Sequence, residues 1–410
     1  MEIKMNDNNV GIYIHIPFCV KKCNYCDFLS FPVSEEIKPA YVNALIKEIS
    51  IYGKLYGKKG IIRKSTVSTV FIGGGTPSIM ESKYIYSILN SLMDNFDFSK
   101  NPEITIECNP GTLNLIKLSD YRNIGINRLS IGLQSASDSE LAALGRIHRY
   151  AAFAQSFKDA RRSGFDNINI DIMSALPGQS EASYTDTLNK VLSFRPEHIS
   201  AYSLIIEEGT PFFDIYNNYS KNASYPPLPD EDTEREMYYK TEEILGSHGY
   251  SRYEISNYSL PGRECIHNTG YWTGKSYIGF GLGSSSYINH IRYKNICDFK
   301  QYINTAKDIS AENAEKYIYH NTCIKPFTED VTILSEKDSI SEFMFLGLRM
   351  MKGIKKANFK ALFNKDIYSV YGVQLDKLKQ QGLICDNGTN IFLTPRGIDV
   401  SNYVFSDFLL

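Results

Sequence analysis

The chain has no long apolar run, no excess of one charge and a single tryptophan. It contains 44 Lys and Arg against 46 Asp and Glu, mixed along 410 residues, for a net charge of −2. No apolar stretch approaches the roughly 20 residues of a membrane-spanning helix, and no dense basic segment favours nucleic acid. The first residues are charged and polar, unlike a signal peptide, so we expect a cytoplasmic protein with reduced thiols. The length predicts two or three domains.

Three of the eight cysteines stand close together, in the run Cys19-Val-Lys-Lys-Cys23-Asn-Tyr-Cys26. A structural zinc site usually needs two separated ligand pairs, and no second pair has suitable spacing nearby. A thioredoxin-like pair would follow a βαβ pattern, and a ferredoxin would need a fourth cysteine. Three thiolates hold three irons of a [4Fe–4S] cluster and leave the fourth iron open. The spacing therefore favours an open-site cluster over a zinc site, a redox pair or a chance grouping.

Short β-rich apolar runs alternate with longer amphipathic runs, the pattern of βα units around a parallel sheet. The predicted strands are Gly11–Ile16, Thr69–Gly73, Glu103–Glu107, Arg128–Gly132, Asn167–Ile172 and His198–Leu204. The helical stretches that follow them are about 36–57, 80–95, 113–123, 138–164, 181–193 and 230–249. In parallel α/β folds the site lies at the carboxyl ends of the strands, so we expect it there.

Polar residues collect at these predicted strand ends. The cysteines follow the first strand, Gly73-Gly-Gly-Thr-Pro77 follows the second, and the next three end near Glu107, Gln134 and Asp171. Glycines let a ligand approach the main chain, and side-chain oxygens suit an amine or ribose hydroxyls, while the fork of Arg146 suits a carboxylate. Each residue alone is equally well explained as a capping or surface group. Together they predict a ligand with an amine, a carboxylate and a ribose.

Six segments carry a resemblance to a known family. They are Tyr13-Ile-His-Ile-Pro-Phe-Cys19, Gly73-Gly-Gly-Thr-Pro-Ser78, Ile106-Glu-Cys-Asn-Pro110, Asn127-Arg-Leu-Ser-Ile-Gly-Leu-Gln134, Leu144-Gly-Arg-Ile-His148 and Asp171-Ile-Met-Ser-Ala-Leu-Pro177. In this order, over about residues 10 to 290, they resemble the radical S-adenosylmethionine (SAM) superfamily, in its oxygen-independent coproporphyrinogen oxidase-like branch.

The resemblance implies an α/β fold, a partial (β/α)6 TIM-like barrel of the radical SAM type, with a [4Fe–4S] cluster and SAM as cofactors. Cys19, Cys23 and Cys26 would hold the cluster. The residues implied for SAM are Gly74, Gly75 and Thr76 at the methionine end, Arg146 at the carboxylate, Gln134 and Asp171 at the ribose, and Glu107 and Tyr13 around them. Electron transfer to SAM would need a one-electron donor and would give a 5′-deoxyadenosyl radical.

Phe28 separates two functions within this branch. Members that decarboxylate coproporphyrinogen III typically carry a further cysteine two residues after the third, where this chain has Cys26-Asp-Phe28. The Cys-x-Phe form resembles the HemW-type heme chaperones, which implies a protein that binds heme and delivers it to an acceptor protein. The alternatives are an oxygen-independent coproporphyrinogen III oxidase and radical chemistry on an unrelated substrate. Whether the protein is an enzyme stays open at this point.

The segment His267-Asn-Thr-Gly-Tyr-Trp272 resembles a signature associated with heme handling in HemW-type proteins. An imidazole is a good iron ligand and aromatic rings suit a porphyrin face, so His267, Tyr271 and Trp272 are the heme-binding residues that the resemblance implies. Without the resemblance, His267 and Trp272 would be better explained as core anchors. Many relatives carry a His where this chain has Ser284-Ser-Ser286. A histidine ligand for heme at that position is therefore excluded in this chain.

After about residue 300 the sequence becomes rich in Lys, Asn and Ile and lacks cluster motifs. An amphipathic helix is predicted over Ser341 to Met351, and a helix, a turn and a strand pair over Gly372 to Gly397. This pattern resembles a small winged-helix-like α+β domain, and without a dense basic face it is expected to be a lid or a docking module. The predicted division is a tail over 1–10, a core with its extension over 11–290, a connecting segment over 291–330 and the winged-helix-like domain over 331–410. A homodimer is left open.

Overall fold

A computed structural model of the chain describes residues 8–32, 34–217 and 224–410, so most of the predicted tail lies outside the described residues. The first eight strands are β1 (Asn9–Ile16), β2 (Phe18–Cys19), β3 (Phe31–Pro32), β4 (Thr66–Gly74), β5 (Asp97–Cys108), β6 (Arg128–Gln134), β7 (Ile168–Ser174) and β8 (His198–Ser203). β2 and β3 pair with each other, and the other six form a parallel sheet in the order β1-β4-β5-β6-β7-β8. All six predicted strands are present.

Eight helices alternate with these strands or follow them. They are α1 (Lys38–Tyr56), α2 (Ser82–Asn95), α3 (Leu115–Asn123), α4 (Asp138–Ala143), α5 (Tyr150–Arg162), α6 (Glu181–Ser193), α7 (Pro211–Tyr216) and α8 (Glu231–Ser247). The prediction of one helix over 138–164 is wrong, because α4 ends at Ala143 and α5 begins at Tyr150. Gly145 explains the break, since its φ of +75° lies in the left-handed region that terminates α-helices.

The sheet continues well beyond the parallel strands. The next strands are β9 (Ser251–Arg252), β10 (Asn257–Ser259), β11 (Tyr277–Phe280), β12 (Ser285–Ile288), β13 (Ile291–Asn295), β14 (Ile318–Tyr319), β15 (Cys323–Ile324) and β16 (Thr328–Ile333), with helices α9 (Ile266–Trp272) and α10 (Phe299–Asp308) between them. The twelve-stranded order is β16-β13-β12-β11-β1-β4-β5-β6-β7-β8-β10-β9, so the barrel is open between β16 and β9, while β14 and β15 pair only with each other. Since β12, β13 and β16 belong to one sheet, that sheet extends across the predicted domain boundaries at 290 and 330. The boundaries themselves stay predictions.

The parallel strands are buried on both faces, but only one face is apolar. The other carries buried polar side chains in register with one another, such as Ser130, Asn169 and His198. Six of the seven residues of β6 are buried. Glu48 of α1 ties the later segments to this core, since its carboxylate accepts hydrogen bonds from Tyr302 Oη at 2.6 Å, Asn295 Nδ2 at 2.6 Å and Gly281 N at 2.9 Å.

The last part of the chain forms a small α+β unit with its own apolar core. Its elements are α11 (Glu336–Gly347), β17 (Ile354–Lys355), α12 (Lys356–Phe363), α13 (Ile367–Gln380), β18 (Ile384–Asp386), β19 (Asn390–Leu393), α14 (Pro395–Asp399) and α15 (Ser401–Ser406). Its antiparallel sheet has the order β17-β19-β18. The helix predicted from Ser341 begins earlier, at Glu336, because Ser335 and Asp338 form a capping box.

Specific contacts join the C-terminal unit to the barrel. Arg292 of β13 pairs with Glu342 of α11 at 2.9 Å, and the guanidinium of Arg349 lies 4.3 Å from the ring centre of Trp272. These contacts, one from α11 and one from the segment just after it, hold the C-terminal unit against β13 and the end of α9. None of the helices in the described ranges combines the length and the apolar composition that crossing a membrane requires.

Candidate functional site

The three cysteines of the first motif lie between β1 and α1. Cys19 ends β2, and Cys26 N donates to Cys23 O at 3.3 Å, so the last two stand on a tight turn. All three side chains are partly exposed, and burial raises the pKa of the Cys26 thiol. Within the described part of the chain, no group of three or more His, Cys, Asp or Glu side chains surrounds one metal-ion position. A [4Fe–4S] cluster takes one thiolate on each iron instead.

The cysteine loop is held by the break between α4 and α5. Asn24 N donates to Leu144 O at 3.0 Å, and Asn24 Nδ2 donates to Ala143 O at 3.0 Å. A Cβ on Gly145 would stand 3.0 Å from Asn24 Oδ1. The glycine therefore both ends the helix and makes room for the loop.

Arg146 connects this break to the strand ends. Its Nη2 donates to Gly132 O at 2.5 Å and to Asn109 Oδ1 at 3.0 Å, while Nη1 lies 3.7 Å from Cys23 Sγ. Its Nε is buried without a hydrogen-bond partner in the part of the chain that the structure describes. Because a buried donor without a partner is costly, this atom is suited to an acceptor on a ligand.

The glycine-rich turn after β4 brings its main chain against the first cysteine. Gly75 N donates to Ile16 O and Thr76 N to Phe18 O, both at 2.8 Å. A Cβ on Gly75 would stand 3.0 Å from Cys19 Sγ, and Thr76 Oγ1 lies 3.6 Å from the same sulfur. The absence of side chains at this turn leaves room for a group bound beside Cys19.

Glu107, the penultimate residue of β5, lies next to the glycines. Its Oε2 accepts a hydrogen bond from Gly74 N at 3.0 Å. Burial raises the pKa of Glu107 to about 8, with a further contribution from the charge of Asp171, while the bond from Gly74 opposes the rise. A cation such as a ligand amine would remove this penalty by pairing with the carboxylate.

Gln134 ends β6, whereas Asp171 lies in the middle of β7, because that strand continues to Ser174, beyond its predicted end at Ile172. Asp171 accepts hydrogen bonds from Asn169 Nδ2 at 2.7 Å and Ser130 Oγ at 3.1 Å, and burial raises the pKa of its carboxyl. The register of β6 against β7 shifts just before Gln134, whose φ is +71°. Such bulges redirect a side chain at the end of a strand.

Tyr13 of β1 completes the set that the sequence implied. Its hydroxyl lies 3.0 Å from Nδ1 of His15, and burial raises the pKa of its phenol. The residues proposed for the cluster and SAM thus lie toward the carboxyl ends of β1, β4, β5 and β6 or on the loops that follow, apart from Tyr13 and Asp171, which lie within β1 and β7. Three thiolates, an open turn at Gly75 and an unpaired donor on Arg146 fit a cluster with an amino-acid ligand.

A cavity of about 1030 Å³ opens beside the cysteine loop, between the barrel mouth and the C-terminal unit. Asp27 and Phe28, which directly follow Cys26, form part of its wall, and Phe28 is 62% exposed. Tyr13, Tyr271 and Trp272 line it as well. Its charged lining consists of six basic residues, Lys22, Lys275, Arg292, Lys294, Lys352 and Lys355, and two acidic ones, Asp27 and Glu342. The cavity is therefore aromatic in its wall and basic in its charge.

Comparisons with known proteins agree with this architecture. Residues 13–191 match the family model of the radical SAM superfamily, and residues 334–400 match the HemN C-terminal domain. The heme chaperone HemW of Lactococcus lactis is 33% identical over 97% of this chain and 97% of its own length, and that of Bacillus subtilis is 35% identical over 97% and 98%. The chain belongs to the HemW family of the radical SAM superfamily. The predicted family is confirmed.

A solved structure shows that the fold extends through both units. Coproporphyrinogen III oxidase (HemN) from Escherichia coli, a radical SAM enzyme, has a TM-score of 0.81 with this chain at 21% identity, covering 98% of this chain and 90% of that one. The predicted fold class is thereby confirmed. HemW membership also implies a [4Fe–4S] cluster and SAM as the cofactors of the barrel.

The structure does not bring His267 to the cavity, although it is the first residue of the segment that resembles the HemW signature. Its Nδ1 lies 2.8 Å from Thr69 Oγ1 and its Nε2 lies 2.8 Å from Tyr271 Oη, and its ring stacks on Phe71. Burial, with a contribution from the charge of Arg128, lowers the pKa of His267 to about 3. His267 therefore fixes Tyr271 from behind the cavity wall, and its role as a heme ligand stays a prediction.

Several residues around the site were not singled out from the sequence. Asn109 bridges Arg146 and Thr76, to which its Nδ2 donates at 2.8 Å. Asn24 anchors the cysteine loop. Both lie inside the motifs given above. Asn109 could have been found from its position directly after a strand, and Asn24 from its position between two cluster cysteines. Glu103 accepts from the first amides of α9 at 3.0–3.1 Å, which only the folded sheet reveals.

Proposed function

We propose that the protein binds heme in the cavity beside the cysteine loop and delivers it to an acceptor protein. The observation that carries this proposal is the cavity itself, at about 1030 Å³ between two separately packed units. Cofactor pockets commonly measure roughly 300–1000 Å³ and have apolar walls with a few polar groups. A flat, largely apolar tetrapyrrole matches both its size and its chemistry.

The walls supply the aromatic surface that a porphyrin face requires. Trp272, Tyr277 and Tyr287 line the barrel side, and Phe343 and Leu346 of α11 line the other. Trp272 Nε1 is buried without a hydrogen-bond partner among the described residues, which suits a ligand that carries an acceptor. Aromatic side chains contribute large apolar area and stack on flat ligands.

The excess of basic side chains suits the two propionates of heme. Lysines bind carboxylates through charge-assisted hydrogen bonds. Lys275 and Lys294 lie on the barrel side, while Lys352 and Lys355 lie on the C-terminal unit. Since both units contribute to the cavity, movement of the C-terminal unit would expose the bound heme to an acceptor.

Cys19, Cys23 and Cys26 would hold the cluster in the same mouth, with SAM held by the strand-end residues described above. When bound, the cluster and SAM supply one-electron chemistry, which requires a one-electron donor. Arg146 and Glu107 would orient the amino-acid end of SAM, and Gln134 and Asp171 its ribose. We also propose a cytoplasmic location, because all eight cysteines are free in the structure and free thiols persist in reducing compartments.

The test is anaerobic reconstitution of the full chain with iron and sulfide, followed by two assays on the same sample. We expect saturable binding of one hemin per chain, weaker after Lys352→Glu combined with Lys355→Glu. The control is Lys337→Glu, an exposed lysine that does not line the cavity. Conversion of coproporphyrinogen III to protoporphyrinogen IX with reductant and SAM would contradict the proposal and support the oxidase alternative. This assay is needed because coproporphyrinogen III carries more carboxylates than heme and could pair with the same lysines.

A further inference from the structure

Two imidazoles line the cavity, and only one of them has a ring nitrogen to spare. Nε2 of His15 donates to Leu29 O at 2.8 Å, so its Nδ1 accepts from the hydroxyl of Tyr13 at 3.0 Å. His15 is therefore fully engaged in the fold. Nδ1 of His290 is buried and has no hydrogen-bond partner in the part of the chain that the structure describes.

His290 occupies a backbone position that favours glycine. The hairpin between β12 and β13 turns at Asn289 and His290, whose φ values are +54° and +59°. Turns of this kind prefer Asn followed by Gly, and a larger residue at such a position is a reason to look for a functional role of its side chain. Burial lowers the pKa of the His290 imidazole, which favours the neutral form that binds metals.

The wall around His290 is held in place by other residues. Its ring meets that of Tyr287 edge-on at 6.4 Å, and the guanidinium of Arg292 lies 5.3 Å from the same tyrosine ring. Arg292 in turn pairs with Glu342 of the C-terminal unit. The hairpin is thus fixed against α11, and the imidazole stands in a preformed part of the cavity.

We propose that His290 supplies an axial ligand to the iron of heme bound in this cavity. This inference rests on the proposed function and adds the residue that binds the metal. Neutral imidazole is a common axial ligand of heme iron. Cys297 and Met350 also line the cavity and are the competing ligands.

The test compares hemin with metal-free protoporphyrin IX as probes of the full-length, reconstituted protein. His290→Gly suits the left-handed backbone, so this variant is expected to fold. It should bind metal-free protoporphyrin as the unchanged protein does. Its hemin affinity should fall at least about tenfold, because mutating even a residue that only supports a metal ligand typically costs that much. The spin state and Soret band of the hemin complex should change, and added imidazole should restore them. Asn289→Gly in the same turn is the control and should leave both probes unaffected.

Unchanged hemin affinity and spectrum in His290→Gly would overturn the inference while leaving heme binding intact. The same holds if Cys297→Ala or Met350→Leu produces the spectral change and His290→Gly does not. If the unchanged protein binds neither probe, the proposed function fails and this inference fails with it. The metal-free probe therefore separates loss of the iron ligand from loss of the cavity.

Discussion

Arg146 Nη1 lies 3.7 Å from Cys23 Sγ, and the same guanidinium donates from Nη2 to Gly132 O at the end of β6. One side chain therefore joins the helix break, the sheet and the cysteine loop. Its planar fork makes these contacts simultaneously, which a point charge could not do. The unpaired Nε leaves it one donor, which we propose binds the carboxylate of SAM.

Replacement of Arg146 by lysine should weaken SAM binding more than cluster binding. A lysine keeps the charge but lacks the fork, and hydrogen bonds to charged groups contribute about 1.5–3 kcal/mol, so we expect SAM affinity to fall about tenfold or more. Anaerobic equilibrium titration with SAM at constant iron content measures this. Arg162→Lys, on the exposed face of α5, is the control. Equal SAM affinity in both variants would contradict the assignment.

Replacement of Cys23 by alanine should abolish the cluster, because only Cys19 and Cys26 would remain in the loop to bind it. Cys385 is exposed on the C-terminal unit, and Cys385→Ala should retain full iron and sulfide content after reconstitution. Chemical iron analysis and the visible absorption of the cluster check both variants. Normal iron content in Cys23→Ala would refute the ligand set.

Two glycine-to-alanine changes should differ in their effects on stability. Gly145→Ala forces a side chain into a left-handed backbone against Asn24, so the free energy of unfolding should fall by about 1–3 kcal/mol. Gly246→Ala lies in α8 with open space around it, and should be neutral or stabilising by up to about 1 kcal/mol. Denaturant unfolding of the two variants is the measurement. Equal midpoints would show that the break at Gly145 is not under constraint.

The strand-end residues were predictable because parallel strands bring their carboxyl ends to one edge. Glu107 and Asp171 lie far apart in sequence, yet the strand pattern alone predicts that they meet. The break at Gly145 was missed because the amphipathic pattern continues on both sides of it. The cavity and His290 could not be predicted, because Lys22 and Phe363 line the same space only once the C-terminal unit packs on the barrel.

Glu48 gives the fold a pH dependence that can be isolated. Burial raises the pKa of its carboxyl to about 7, although bonds from Tyr302, Gly281 and Asn295 oppose the rise. Its unfolded pKa is about 4.3. Because the folded value is the higher one, the stabilisation is complete below the unfolded pKa and is lost as the pH rises through about 7.

The variant Glu48→Gln stays neutral, so the loss of stability with rising pH should shrink by on the order of 1–3 kcal/mol. The measurement is the difference in the free energy of unfolding between about pH 5 and about pH 8, for the variant and for the unchanged protein. These two pH values are chosen from the unfolded and folded pKa values of Glu48. Glu243→Gln, at an exposed position of α8, should leave the slope unchanged. A slope in Glu48→Gln equal to that of the unchanged protein would show that Glu48 is ionised throughout.

The central claim is that heme binds in the cavity between the barrel and the C-terminal unit. The most direct measurement is an equilibrium hemin titration of the reconstituted chain and of Ser285→Trp, which fills the cavity from an exposed position on β12. The unchanged protein should saturate at one hemin per chain, and Ser285→Trp should bind at least about tenfold more weakly, a loss of about 1.4 kcal/mol. Ser139→Trp, exposed on α4 away from the cavity, should bind normally. Hemin binding by Ser285→Trp with unchanged affinity and stoichiometry would contradict the account.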